Sequence, residues 1–172
     1  GGMRPGSPIP GHECDCSGFV SWCFGVSRMT DHPLYQRLNG GWINTDAMVA
    51  DIDDSAGLFY SCDPEPGAVV VYPGPPARKV GHCGIVVATE NGKATQVLHC
   101  SGGNFRRHGH AIRITGPDVF DRKADTVYGW FVGVERPFAD LKPIVDRYTL
   151  LDIPPKAGPR LEPSPPIDPT SD

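Results

Sequence analysis

No apolar run in this 172-residue sequence approaches the roughly 20 residues needed to cross a bilayer, so the sequence offers no transmembrane segment. The N-terminus also lacks the order of basic, apolar and small residues that marks a secretory signal peptide. Gly1 and Gly2 ahead of Met3 read either as a remnant of cloning or as the point where a longer parent was cut. Basic clusters are scarce: adjacent basic residues come at most in pairs, as at Arg106-Arg107, and the formal net charge is −4, which argues against a nucleic-acid partner. Internal repeats are absent, and the length suits one domain with a real core rather than two. The six cysteines, at 14, 16, 23, 62, 83 and 100, do not follow the spacing of a small disulfide-stapled framework, so they leave the redox compartment open.

What the sequence has in quantity is turn chemistry, with 21 glycines and 19 prolines. Residues 1–14 read as an irregular leading segment, 15–136 as the folded domain, 137–152 as a C-terminal segment with a weak helical pattern, and 153–172 as a Pro-rich tail. Within the domain, Phe19, Val20, Cys23 and Phe24 recur at helical spacing, which predicts a short amphipathic helix over 16–25, capped by Asp15 and ended by Gly25. A second helix is expected over about Thr45–Asp51, with Thr45 as its cap. Ala68–Tyr72 is a β-branched run that stops at Pro73, and residues 73–79 read as a surface loop. Cys83–Thr89 and Ala94–Cys100 flank Asn91-Gly92, a strong hairpin signal. Ala111–Ile114 and Tyr128–Val134 read as further strands, joined by a polar loop. A helix followed by strands, without βαβ alternation, is the order of an α+β domain with an antiparallel sheet of four or more strands.

Thiolate character is favoured at a helix N-terminus, where unpaired N–H groups and aligned peptide dipoles attract negative charge, and Cys16 stands there. A nucleophilic thiol also needs an imidazole to take its proton. Counting outwards from Asn91-Gly92 pairs Gly84 with His99, Cys83 with Cys100 and His82 with Ser101. Alternation then puts His82 and His99 on one sheet face, as diagonal neighbours with Gly84 leaving room between them, provided no bulge intervenes. Nucleophile, base and a group fixing the base's tautomer are thus all on offer. Cys83 and Cys100 fall on the opposite face, to pair or to pack. That alternation also works against a zinc set drawn from His12, Cys14, Cys16 and the two His-Cys pairs, so no metal is expected and the chemistry calls for no cofactor.

Blander readings stand beside these. Cys23 reads as a small core residue, and Cys14 as a spare thiol, a redox partner or itself the nucleophile. His32, His108 and His110 read as surface or loop residues, and Arg106, Arg107, His108 and His110 as a solvated polar loop that could also meet an anionic peptide. Trp22, Trp42 and Trp130 are core aromatics or groove liners, with the core favoured for Trp130.

Asp15-Cys16-Ser17-Gly18-Phe19-Val20 resembles the D-C-S-G-hydrophobic signature of the NlpC-type cell-wall peptidases, a branch of the papain-like cysteine hydrolases. Pro66-Gly67-Ala68-Val69-Val70 resembles the strand that follows in that family, which usually carries an acidic residue where Ala68 stands. His82-Cys83-Gly84-Ile85-Val86 is similar to its H-x-G-hydrophobic motif, and Val97-Leu98-His99 to the strand bearing the third polar residue. The resemblance runs in order from Asp15 to about Val134. It implies a papain-like fold, with a short N-terminal helix bearing the nucleophile packed on the sheet, and the roles of nucleophile for Cys16, general base for His82 and orienting residue for His99. It further implies hydrolysis of an amide bond in the peptide stem of bacterial peptidoglycan by a monomer acting at the cell wall, whether secreted, phage-borne as an endolysin, or delivered as an effector. Ser17, Gly84 and Trp42 are the candidates for substrate contact. The family's upstream tyrosine precedes a Gly-Gly pair, and this sequence opens at Gly1-Gly2. Two other functions use the same parts: acyl transfer or amide hydrolysis on a non-peptidoglycan substrate, and a non-catalytic binding module.

Overall fold

The computed structural model describes residues 14–55, 57–74 and 80–136. Residues 1–13 of the leading segment, residue 56, residues 75–79 of the Pro-rich loop, and the two C-terminal segments from 137 lie outside the described residues. The described residues up to Glu135 belong to one compact unit.

Helix α1 runs Cys16–Cys23, and the Asp15 carboxylate accepts the Gly18 N–H at 2.8 Å as its cap. It ends two residues before the expected boundary. Phe24 is the C-cap, and Gly25 (φ 66°) and Val26 donate back to the Trp22 and Ser21 carbonyls at 3.0 and 2.9 Å. This crossed pair closes the helix only if residue 25 is left-handed, which glycine adopts at little cost. Helix α2, Pro33–Asn39, was not expected from the sequence; Pro33 opens it, His32 Nδ1 accepts the Leu34 N–H, and Gly40 in the left-handed region ends it. His32 is therefore a cap rather than a loop residue. Helix α3, Thr45–Asp54, takes Asn44 as its N-cap, accepting from the Ala47 N–H at 2.8 Å, so Thr45 is the first helical residue and not the cap.

A three-residue strand β1 (Phe59–Ser61), absent from the sequence reading, precedes β2 (Val69–Tyr72), β3 (His82–Glu90) and β4 (Lys93–Cys100). Helix α4 (Gly102–His108) stands where a polar loop was expected, capped by Ser101 and closed by Gly109. Strands β5 (Ile112–Thr115) and β6 (Val127–Phe131) flank the one-turn helix α5 (Asp118–Asp121). The six strands form one antiparallel sheet in the order β1-β6-β2-β3-β4-β5, and with five helices among the described residues the domain is α+β.

Asn91 (φ 51°) and Gly92 (φ 72°) form the hairpin turn with two left-handed residues. Two bulges interrupt the ladder beyond it. Thr89 pairs Ala94 and Ala88 pairs Gln96, but Val86 pairs Val97, so an extra residue on β4 is followed by one on β3. The offsets cancel, and Ile85 opposite Leu98 is back in the register counted from the turn.

Alternation along β2 separates two cores. Val69 and Val71 face the side covered by α1, α2 and α3, where Phe19, Val20, Tyr35, Met48, Ile52, Cys83 and Cys100 are packed. Ala68 and Val70 face the other side, with Val86, Val97, Phe120 and Trp130. Each buried aliphatic side chain contributes about 1.5–3 kcal/mol. Asp51, fully buried on α3, ties the helical layer together: its Oδ2 accepts from the Tyr35 hydroxyl at 2.6 Å and from the Leu58 and Phe59 N–H groups at 2.8 and 3.1 Å. Cys23, read as a core residue, is exposed, because the helix ends at it and turns its last residue to solvent. No helix among the described residues is long and apolar enough to cross a membrane.

Candidate active site

Cys16 is the first residue of α1, so it sits among the N–H groups that the helix leaves without intrahelical partners. The segment ahead of it is fixed by a buried guanidinium. Arg28 is 2% exposed; its Nη1 and Nη2 donate to Asp15 Oδ1 and Oδ2 at 2.8 and 3.1 Å, and its Nε donates to the Ile43 carbonyl at 2.7 Å. The flat face of the same group lies 4.7 Å from the Trp42 ring centroid. One carboxylate therefore caps the helix and anchors Arg28, and the fork geometry fixes both oxygens.

His82 and His99 meet side by side, with His82 Nε2 2.7 Å from His99 Nδ1. His99 Nε2 lies 2.9 Å from Thr115 Oγ1, and the Thr115 hydroxyl donates to the Gly116 carbonyl at 3.0 Å. This chain assigns the protons. Because the Thr115 proton is spent on Gly116, the hydroxyl oxygen accepts from His99 Nε2–H. His99 Nδ1 is then an acceptor, His82 Nε2 carries the proton that it receives, and His82 Nδ1 is left as the basic nitrogen. Burial, and then the charge of His82, holds His99 down to about 4, so it stays neutral around pH 7. Phe120 stacks on His82 (centroids 5.4 Å apart, planes 17° apart) and meets His99 edge-on at 5.9 Å, fixing the plane of the pair.

The Cys16 thiol is lowered to about 5. A hydrogen bond from Cys83 is the largest cause, burial opposes it, and the hydrogen bond and charge of His82 add to the lowering. Cys83, wholly buried, is pushed well above its ordinary value by burial and by donating to Cys16. One thiol is thus kept protonated as donor, and its neighbour is kept as thiolate. Tyr72 edges the site at 6.2 Å from the His82 ring, its hydroxyl raised by burial and then by the charge on Cys16.

The arrangement links Cys16 to His82 and His82 to His99. Gly84 lies on β3 beside His99 of β4: a Cβ there would come 2.6 Å from Val97 Cγ1 and 2.9 Å from both His99 Cβ and the Leu98 carbonyl oxygen. Ser17 is 3% exposed with its hydroxyl on Asp15 Oδ1 at 3.4 Å, and Trp42 connects to the nucleophile through Arg28 and Asp15. Cys14 lies against Cys100, its Sγ 3.6 Å away. Among the described residues no three His, Cys, Asp or Glu side chains are grouped to hold a metal ion. Reading the sequence gives no part in the site to Thr115, Arg28 or Phe120, and has Cys83 only pairing or packing with Cys100. A buried arginine needs a carboxylate, but the burial of Arg28 shows only in the fold and nothing in its spacing points to Asp15.

Comparison with models of known protein families, with curated proteins and with solved structures finds no match for the chain.

Proposed function

We propose that this chain is a cysteine peptidase of papain-like fold, akin to the NlpC-type cell-wall enzymes, that hydrolyses an amide bond in the peptide stem of bacterial peptidoglycan as a monomer at the cell wall. The observation that carries the reading is the proton chain from Thr115 through His99 to His82, which leaves a basic nitrogen for a lowered thiol at a helix N-terminus. The substrate class rests on the motif residues Asp15-Cys16-Ser17-Gly18 and His82-Cys83-Gly84.

In this mechanism the Cys16 thiolate adds to the scissile carbonyl, and the oxyanion is met by the Cys16 N–H. His82, having taken the thiol proton on Nδ1, gives it to the leaving amine as the tetrahedral adduct collapses to a thioester. His82 then accepts a proton from water, the hydroxide adds to the thioester, and the acid and thiolate are released. His99 stays neutral throughout and keeps His82 in register.

The test is digestion of muropeptides of defined stem sequence, read by mass and by labelling of new amines. Wild type releases one new amine per cut, Cys16→Ala none, and His82→Ala at least a hundredfold less. Intact stem peptides alongside turnover of another acyl donor would move the protein to the acyl-transfer class. Alkylation of Cys16 no faster than that of exposed Cys23 would make it a binding module.

A further inference from the structure

We propose that Cys14 and Cys100 form a reversible disulfide site that staples the chain leading into α1 to the end of β4. Both are thiols in the structure, with sulfur atoms 3.6 Å apart across a separation of 86 residues. The contact is held from two directions. The Cys100 thiol donates to the Cys14 carbonyl at 3.3 Å, which leaves the Cys14 thiol to donate to Cys100 Sγ. Closing to a bond of about 2.05 Å needs the sulfurs to approach by about 1.5 Å, with the backbone of residue 14 already against the partner.

The other described cysteines that the sequence offers have their own places. Cys83 is buried against Cys16, Cys23 is exposed at the far end of α1, and Cys62 packs with the core on the other sheet face. The two residues also bracket the candidate site, since Cys14 precedes the cap Asp15 and Cys100 follows His99. The bridge therefore fixes the segments that carry the nucleophile and the second histidine while leaving Cys16 unbridged.

Oxidation needs a partner, and a low-molecular-weight disulfide such as oxidised glutathione supplies it. Cys14, partly exposed, attacks one sulfur and releases one reduced thiol. Cys100, whose thiol burial pushes up to about 12, then loses its proton and displaces the second thiol from the mixed disulfide. Two protein thiols lose two electrons and two protons, and the oxidant becomes two thiols. Dithiothreitol reverses the sequence.

The experiment treats the full chain and its Cys16→Ala variant with oxidised glutathione, blocks remaining thiols with iodoacetamide, and maps linked peptides by mass, with melting measured in parallel. The expected result in both proteins is a bridge between the peptides containing Cys14 and Cys100, with Tm raised by about 10 °C. Cys14→Ser loses both effects, and Cys16 in the bridged wild type still reacts with iodoacetamide after mixed disulfides on it are discounted. A bridge to any other cysteine, its disappearance in Cys16→Ala, or an oxidised form with unchanged or lower Tm would overturn the proposal. Because bridging is read in a variant without the nucleophile, the result is independent of whether the protein is a peptidase.

Discussion

Thr115 has one hydroxyl proton, and its use decides which nitrogen of His82 is basic. Thr115→Val removes the acceptor for His99 Nε2–H, so His99 can flip its tautomer and His82 loses its fixed orientation. Activity is expected to fall about tenfold or more in kcat with KM little changed, and Thr115→Ser to restore it. At the other end of the chain of groups, alkylation of Cys16 should rise with pH about a midpoint near 5, where an ordinary thiol would titrate near 8.5. Arg28→Ala leaves the Asp15 charge beside the thiol uncompensated, so the same profile should move to higher pH. Of these residues the sequence exposes Cys16, by its place after a capping aspartate, and the two histidines, by their count from Asn91-Gly92. It hides Thr115, because no turn signal anchors β5 to β4 and a helix stands between them.

The β3–β4 hairpin shows how an element can keep a register that its own irregularities threaten. A single bulge would have turned one histidine to the opposite face. The second bulge restores the pairing before Ile85 and Leu98, so the face shared by His82 and His99 was readable from the turn although the bulges were not. Gly84 has little room in that hairpin, since a Cβ meets Val97, the Leu98 carbonyl and His99. Gly84→Ala should cost about 1–3 kcal/mol in urea unfolding and also lower turnover by displacing His99, whereas a purely structural loss would leave kcat intact at saturating folded protein. The helices were legible in proportion to their apolar periodicity. Helix α1 carries it, while α2 and α4 are seven-residue pieces set by Pro33, Ser101 and the left-handed Gly40 and Gly109, signals that read equally well as loops.

For the molecule as a whole, two groups couple the site to stability. His99, held to about 4 when folded, takes up a proton near 6.5 when unfolded, so the unfolded chain binds more protons between those values and stability falls as pH drops through that window. Cys16 is lowered from 9.0 to about 5, so its contribution is complete above pH 9 and is lost as pH falls towards 5. Thermal melts should therefore show stability rising from about pH 4 to pH 9, with Cys16→Ser flattening the upper part and His99→Asn the lower. The α+β class followed from the order of the elements, but the six-strand order and the β1 edge depend on long-range pairing that local patterns do not encode. The most direct test of a thiol-based peptidase is to quench turnover of a stem peptide with acid and map the protein by mass. A thioester mechanism requires an acyl group on Cys16, removed by hydroxylamine and absent from Cys16→Ala; stem-peptide cleavage that persists in Cys16→Ala, or wild type that neither cleaves nor carries an acyl group, would rule it out.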